Sequence, residues 1–99
     1  MYKRQVLTDR QLVNIELKID KHNAPYVLTK PFHHSQKTLQ TFENGGVIIG
    51  LRLHHNFEIE RLILGFGESI EVLKPKKLRD RIQWKLKQAY QNYQKEENT

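Results

Sequence analysis

Ninety-nine residues, 37% of them hydrophobic, suffice for one domain with a single modest core that buries roughly 60 to 65% of the surface the unfolded chain exposes. The chain has no cysteine, which removes disulfide staples, thiol redox pairs and zinc–thiolate sites and favours an intracellular setting. No apolar run approaches the ~18 residues of a membrane span and no signal-like start is present, so a soluble, cytoplasmic protein is expected, while a net charge of +6 and a pI near 9.7 permit a polyanionic partner without identifying one.

Met1 to Arg10 shows neither a helical nor a strand period, and MYKRQ resembles the adapter read-through that opens reading frames taken from fragmentary assemblies. Residues 1–11 are therefore read as an irregular segment without functional weight, and on that reading the chain is the C-terminal piece of something longer. From Leu12 a pattern sets in, with Val13, Ile15, Leu17 and Ile19 alternating against Asn14, Glu16, Lys18 and Asp20 as a half-buried strand. Asn23 as a cap, Pro25 in a first turn and the apolar stripe Ala24, Val27 and Leu28 predict a helix of about two turns within Lys21 to Thr29. The residue before Pro31 is biased away from helix, which makes Lys30 to Gln36 a loop. Lys37 to Phe42 is a weak strand whose Leu39 and Phe42 do not share a face, pointing to an edge position or a bulge. Asn44, Gly45 and Gly46 are expected to supply the positive φ angles of a tight hairpin.

The densest pattern runs from Gly45 to Leu78. Val47, Ile49, Leu51 and Leu53 alternate with Ile48, Gly50, Arg52 and His54 as a strand. Ile59, Leu62, Ile63 and Phe66 then fall at i, i+3, i+4 and i+7, with Glu58, Glu60 and Arg61 as the polar face of an amphipathic helix. Asn56 suits its N-cap and Gly67 its C-terminal cap. Ser69 to Val72 alternates as another strand, and Pro75 suits the first turn of a final helix. In that helix Leu78, Ile82, Leu86, Ala89 and Tyr93 share one stripe, with Trp84 and Tyr90 at its margins. The element order βαββαβ followed by a helix predicts an α+β fold of ferredoxin-like plan, an antiparallel sheet with helices on one face plus an extra C-terminal helix. It occupies residues 12–94 and leaves 95–99 as a polar tail.

Chemistry is sparse. His33 with His34, and His54 with His55, are adjacent pairs; neighbours on an extended chain point to opposite faces, so neither pair chelates a metal as an i, i+4 helical pair would. Ser35 beside a histidine lacks an orienting third group for nucleophilic catalysis. Gly65 and Gly67 follow a helix instead of leading into one, where capping explains them better than a phosphate cradle. No metal, no cofactor and no catalytic residue is expected. The polar loop His33, His34, Ser35 and Gln36 lies where loops on a rigid scaffold carry function; the alternative is that these side chains satisfy backbone groups freed where the helix ends at Pro31. Lys76, Lys77, Arg79, Arg81 and Lys85 are the candidates for phosphate contact, with Trp84 and the tyrosines available for stacking, although a charge run on a helix is more often a solvated face.

The succession APYVLTKPFHHSQ from Ala24 to Gln36, a Gly-Gly hairpin, GVIIGLRL, EIERLILGFGESIEVLKPKKLRDRI and a terminal helix reaching Tyr93 resembles the C-terminal extension domain, called WCX, of WYL-domain transcriptional regulators. The likeness covers Leu12 to Tyr93 and is sharpest at Pro31 to Gln36, at Ile63 to Gly67 with Ile70 to Pro75, and at Leu78 with Arg79. It implies a bacterial regulator in which an N-terminal winged helix-turn-helix binds operator DNA, a central WYL domain senses a ligand (single-stranded DNA in some relatives), and this domain contributes to dimer contacts and frames the effector site. Trp84 is followed by Lys85 and Leu86 and not by Tyr-Leu, and the operator-reading helices are not among these residues. The partners implied are thus the WYL domain of the same regulator and a second subunit, met through His33, His34, Ser35, Gln36 and Arg52, with operator DNA bound only through the N-terminal domain. The rival is a free-standing nucleic-acid-binding module that uses the basic helix.

Overall fold

The structure is a computed structural model describing residues 12–98; the segment 1–11 and Thr99 lie outside the described residues. Its elements are β1 (Leu12–Ile19), α1 (Ala24–Thr29), β2 (Lys37–Thr41), β3 (Val47–His54), α2 (Phe57–Phe66), a 3-10 turn (Gly67–Ser69), β4 (Ile70–Lys74) and α3 (Lys76–Asn98). The four strands form one antiparallel sheet in the order β2-β3-β1-β4. This is an α+β architecture.

The alternation in the sequence fixes which face is buried. β1 and β3 pair over their full length, from Leu12 opposite His54 to Ile19 opposite Val47, so Ile15, Leu17 and Ile19 share a face with Leu51, Ile49 and Val47. β4 extends that face, setting Val72 and Ile70 opposite Leu17 and Ile19. Ala24 and Val27 of α1, Ile59 and Ile63 of α2, and Leu78 and Ile82 of α3 pack on these residues as a single core. A one-residue slip of any strand would exchange Ile49 for Ile48 or Leu17 for Lys18, which is why the register is unambiguous.

At one edge every residue of β2 is exposed, and its pairing with β3 slips by one residue at Leu39, so both an edge position and a bulge are present. Leu39 folds over Gly50, where a Cβ would stand 3.1 Å from the Leu39 Cδ1. That close approach is what keeps Gly50 buried on the otherwise open face.

Several local expectations change. Of the hairpin residues only Gly45 has a positive φ, of 102°; the loop is closed by the Phe42 N–H donating to the Gly46 carbonyl (2.8 Å) and by Asn44 Oδ1 accepting from the Gly46 N–H (2.9 Å). An Asx turn with one left-handed glycine therefore closes the hairpin, in place of the run of positive φ angles expected at Asn44, Gly45 and Gly46. Asn23 stands at the N-cap of α1 but makes no capping bond. Its side-chain amide instead donates to Asp20 Oδ1 and Ser69 Oγ, while Asp20 Oδ1 also accepts the Asn23 N–H. That N–H is the main cause holding the Asp20 carboxyl below its ordinary range. Leu28, expected on the buried stripe, is 44% exposed because so short a helix presents only Ala24 and Val27 to the sheet. Pro75 precedes α3 and does not sit in its first turn; its carbonyl accepts the Arg79 N–H.

The final helix departs most. Only Leu78 and Ile82 of its stripe are buried, Leu86 is 42% and Tyr93 69% exposed, and the helix continues through Asn98 into residues expected as a tail. At 100° per residue Trp84 lies 200° from Ile82, on the far side of the helix and not at the stripe's margin, and it is correspondingly exposed. No helix among the described residues is long and apolar enough to cross a membrane.

Candidate interaction surface

Between the end of α1 and the start of β2, the polar loop is held by its own side chains. Gln36 Nε2 donates to the Val27 carbonyl of α1 (3.1 Å), and Gln36 Oε1 accepts the Phe32 N–H (2.9 Å). Ser35 Oγ accepts the Arg52 N–H (2.9 Å) and donates to the Arg52 carbonyl (3.1 Å). Lys37 is paired with Gly50, so Ser35 and Arg52 are the next register step; the Ser35 hydroxyl extends the β2–β3 ladder by one position where the backbone has turned away. His33 Nδ1 lies 2.7 Å from Ser35 Oγ and accepts the Ser35 N–H at 3.1 Å. The His34 ring lies 4.2 Å from that of His33.

These bonds account for three of the sequence candidates, His33, Ser35 and Gln36, as the framework of the loop. His34 and Arg52 are different: both are exposed, and neither side chain makes a hydrogen bond among the described residues. The loop forms one wall of an open groove of about 580 Å³. Phe32, Leu53, Ile59 and Leu62 give it an apolar floor, and His33, His54, Asn56, Glu58 and Arg61 give it a polar rim. Phe32 is fixed against Phe66 with ring centroids 5.5 Å apart, and Asn56 Oδ1 accepts the Ile59 N–H (3.0 Å) and so sets the start of α2. Arg61 and the floor are not singled out by sequence reasoning, and His54 enters there only as one of an adjacent histidine pair unsuited to chelating a metal. Their signal is positional: the last turnward residues of β3 and the first turn of α2 must flank whatever lies beyond the strand end.

Behind the groove lies a residue the helical period misplaces. Glu60, expected on the polar face of α2, is 3% exposed. Its Oε2 accepts from Arg81 Nε (2.6 Å) and meets His55 Nε2 (2.6 Å). Lys85 Nζ stands 2.8 Å from Oε1 as an ion pair, outside the angles of a directed hydrogen bond. Burial works against the charge, but Lys85, Arg81 and His55 outweigh it and lower the carboxyl to about 2. Glu60 stands one residue from Ile59, at the edge of the apolar arc, and α3 covers that edge with basic residues. Nothing in the period of α2 alone reveals such a partner.

The same contacts redistribute the basic helix. Arg81 and Lys85 bind Glu60, Lys76 binds Asp80 (2.7 Å), and Arg79 bonds to Glu71 (2.9 Å) and to the Val72 carbonyl (2.7 Å). Of the five phosphate-contact candidates only Lys77 has no ion-pair partner among the described residues. Trp84 is exposed and stands seven residues after Lys77 and three after Arg81, so on α3 it shares a face with the unpaired Lys77 and with Arg81, which is held by Glu60. No group of three or more His, Cys, Asp or Glu side chains able to hold a metal occurs among the described residues.

The family model of the WCX domain matches residues 11–90, well over half of the chain. The chain belongs to the WCX domain family. Comparison with curated proteins gives no match.

Proposed function

We propose that this chain is the C-terminal regulatory and oligomerisation domain of a bacterial, cytoplasmic WYL-type transcriptional regulator, acting through protein contacts and carrying out no catalysis. Membership of the WCX family supports the placement. The strand order β2-β3-β1-β4, in which each helical crossover passes over one intervening strand, supports reading the sheet as ferredoxin-like with α3 as an added helix. In such a regulator operator DNA is read by the N-terminal domain, and an effector, single-stranded nucleic acid among the candidates, is sensed by the WYL domain. This domain then meets that WYL domain, or the second subunit, with the groove beside the loop 32–36.

The observation that carries the reading is the division of labour in the loop. Gln36, Ser35 and His33 are consumed in fixing its shape, whereas Arg61 stands exposed on the rim of the groove, His34 is exposed on the loop itself, and Arg52 is exposed on the sheet face opposite Leu53. A rigid loop bordering an apolar floor, with exposed polar side chains on the loop and at the groove's rim, suits docking of another protein surface. The rival nucleic-acid module is disfavoured because four of its five basic residues neutralise acids of the same chain.

The test replaces His34, Arg52 and Arg61 together with Ala in this chain and in the intact regulator. The reading predicts near-normal melting of the isolated domain with a weakened effector response or assembly of the regulator. An unchanged response in the intact protein would refute it.

A further inference from the structure

The hairpin between β2 and β3 carries a dipeptide with chemistry of its own. Asn44 is the only asparagine of the chain followed by glycine. Both Asn44 and Gly45 are exposed at the tip, and Gly45 has no side chain to shield its backbone nitrogen. We infer that Asn44 is a site of spontaneous deamidation, gated by opening of the hairpin tip. In this reaction the Gly45 nitrogen loses its proton to water or hydroxide and attacks Asn44 Cγ. The Cγ–Nδ2 bond breaks, Nδ2 leaves as ammonia with a proton taken from water, and a succinimide ring joins the two residues. Water then opens the ring. Addition at Cγ gives aspartate with the main chain unchanged, whereas addition at the main-chain carbonyl carbon gives isoaspartate, with the chain now running through the side chain. The net change converts an amide and water to a carboxyl group and ammonia, without oxidation or reduction.

The hairpin arms the electrophile and restrains the nucleophile. Asn44 Oδ1 accepts the Gly46 N–H (2.9 Å), so a donor already stands at the oxygen on which negative charge gathers when Cγ is attacked. The Gly45 N–H donates to the Phe42 carbonyl (2.9 Å), and while that bond holds, the nitrogen is committed to the turn. Reaction therefore waits for fraying, and fraying here is local. The tip is exposed, every residue of β2 beyond it is exposed, and a Cβ at Gly45 would meet only Lys21 Cβ, at 3.4 Å, among the described residues. One net backbone bond is worth roughly a factor of ten in the ratio of closed to open tip, so the folded hairpin should slow the reaction about ten- to a hundredfold, far less than global unfolding would require. The two products fit differently. Aspartate keeps an oxygen for the Gly46 N–H and sets its charge beside a cavity lined by Lys18, Lys21 and His22, whose own acid, Asp20, is engaged by Asn23. Isoaspartate lengthens the main chain within the turn and breaks the closure between the Phe42 N–H and the Gly46 carbonyl, which loosens β2 from β3.

The test incubates the 99-residue chain at mildly alkaline pH, folded and in denaturing urea, and follows each asparagine by mass spectrometry of its peptides. In the folded chain Asn44 should convert at least roughly tenfold faster than Asn14, Asn23 or Asn56, and about ten- to a hundredfold more slowly than in the unfolded chain. Urea held below the unfolding transition should leave the rate within about twofold, because a frayed tip exposes little surface. Asn44→Gln should silence the position, and the purified isoaspartyl form should exchange the amides of Lys37 to Thr41 faster than Asn44→Asp does. Conversion of Asn44 no faster than Asn14 in the folded chain overturns the inference. A rate that climbs in step with the unfolded population as urea is added, or one equal in the folded and unfolded chains, overturns gating by the tip.

Discussion

Replacing Glu60 with Gln keeps the side chain's size and removes its charge from a site where three partners converge. The carboxyl falls from an ordinary 4.5 to about 2, and at about 1.4 kcal/mol per pH unit this corresponds to on the order of 3 kcal/mol of native-state stabilisation at neutral pH. Arg81 is 48% exposed, so the share running through it is screened by solvent, and the expected cost of Glu60→Gln is about 2 to 3 kcal/mol. The sign follows from the depressed value. The contribution is fully present above the unfolded-state value near 4.5 and is lost as pH falls from there toward 2. Urea unfolding of the natural chain and the variant should therefore differ by about 2 to 3 kcal/mol at pH 7, and the two curves should converge as pH approaches 2. Amide exchange should place the loss first in the first half of α3, which Glu60 fastens to α2 through Arg81 and Lys85. A difference below ~0.5 kcal/mol at pH 7, or one that stays constant down to pH 2.5, would refute the assignment of Glu60 as the fastening charge.

Other outcomes follow from the same contacts. Ile49→Asp should abolish folding, since it leaves an unpaired charge at a fully buried position, while Ile48→Asp on the opposite face should cost little; thermal unfolding of both checks the register. Ser35→Ala and Gln36→Ala should each lower stability by about 1 kcal/mol or more through lost bonds to Arg52 and Val27, whereas His34→Ala should leave the isolated chain's denaturant midpoint unchanged. Single-stranded DNA should bind this chain weakly at low salt, with a slope of log affinity against log salt corresponding to no more than one or two phosphates. A slope near five phosphates would instead restore the basic helix as a nucleic-acid surface.

Much of the fold was legible because one periodicity dominates each element. The alternation of β1 and β3 placed Ile15, Leu17, Val47, Ile49 and Leu51 in the core correctly, and the capping residues Asn56 and Gly67 marked both ends of α2. What escaped depended on contacts between elements. Glu60 reads as solvent-facing on α2 alone and becomes buried only because α3 lies across it. The stripe of α3 reads as buried to Tyr93, yet the sheet it covers ends near Ile82, and no pattern within a helix encodes the length of its support. At the candidate surface the loop residues were legible as a polar cluster; the division between framework residues (His33, Ser35, Gln36) and exposed heads (His34, Arg52) was not, because it is set by the ladder register at Lys37 and Gly50 and by the position of the Val27 carbonyl.

The central claim is that the groove beside loop 32–36 is where this domain meets the rest of its regulator. It is tested most directly by titrating the isotopically labelled chain with the WYL domain and following its amide resonances. The account predicts shifts concentrated at Phe32 to Gln36, Leu53, His54 and the first two turns of α2. Shifts confined to Lys76 to Lys87, or none at saturating partner, would contradict it.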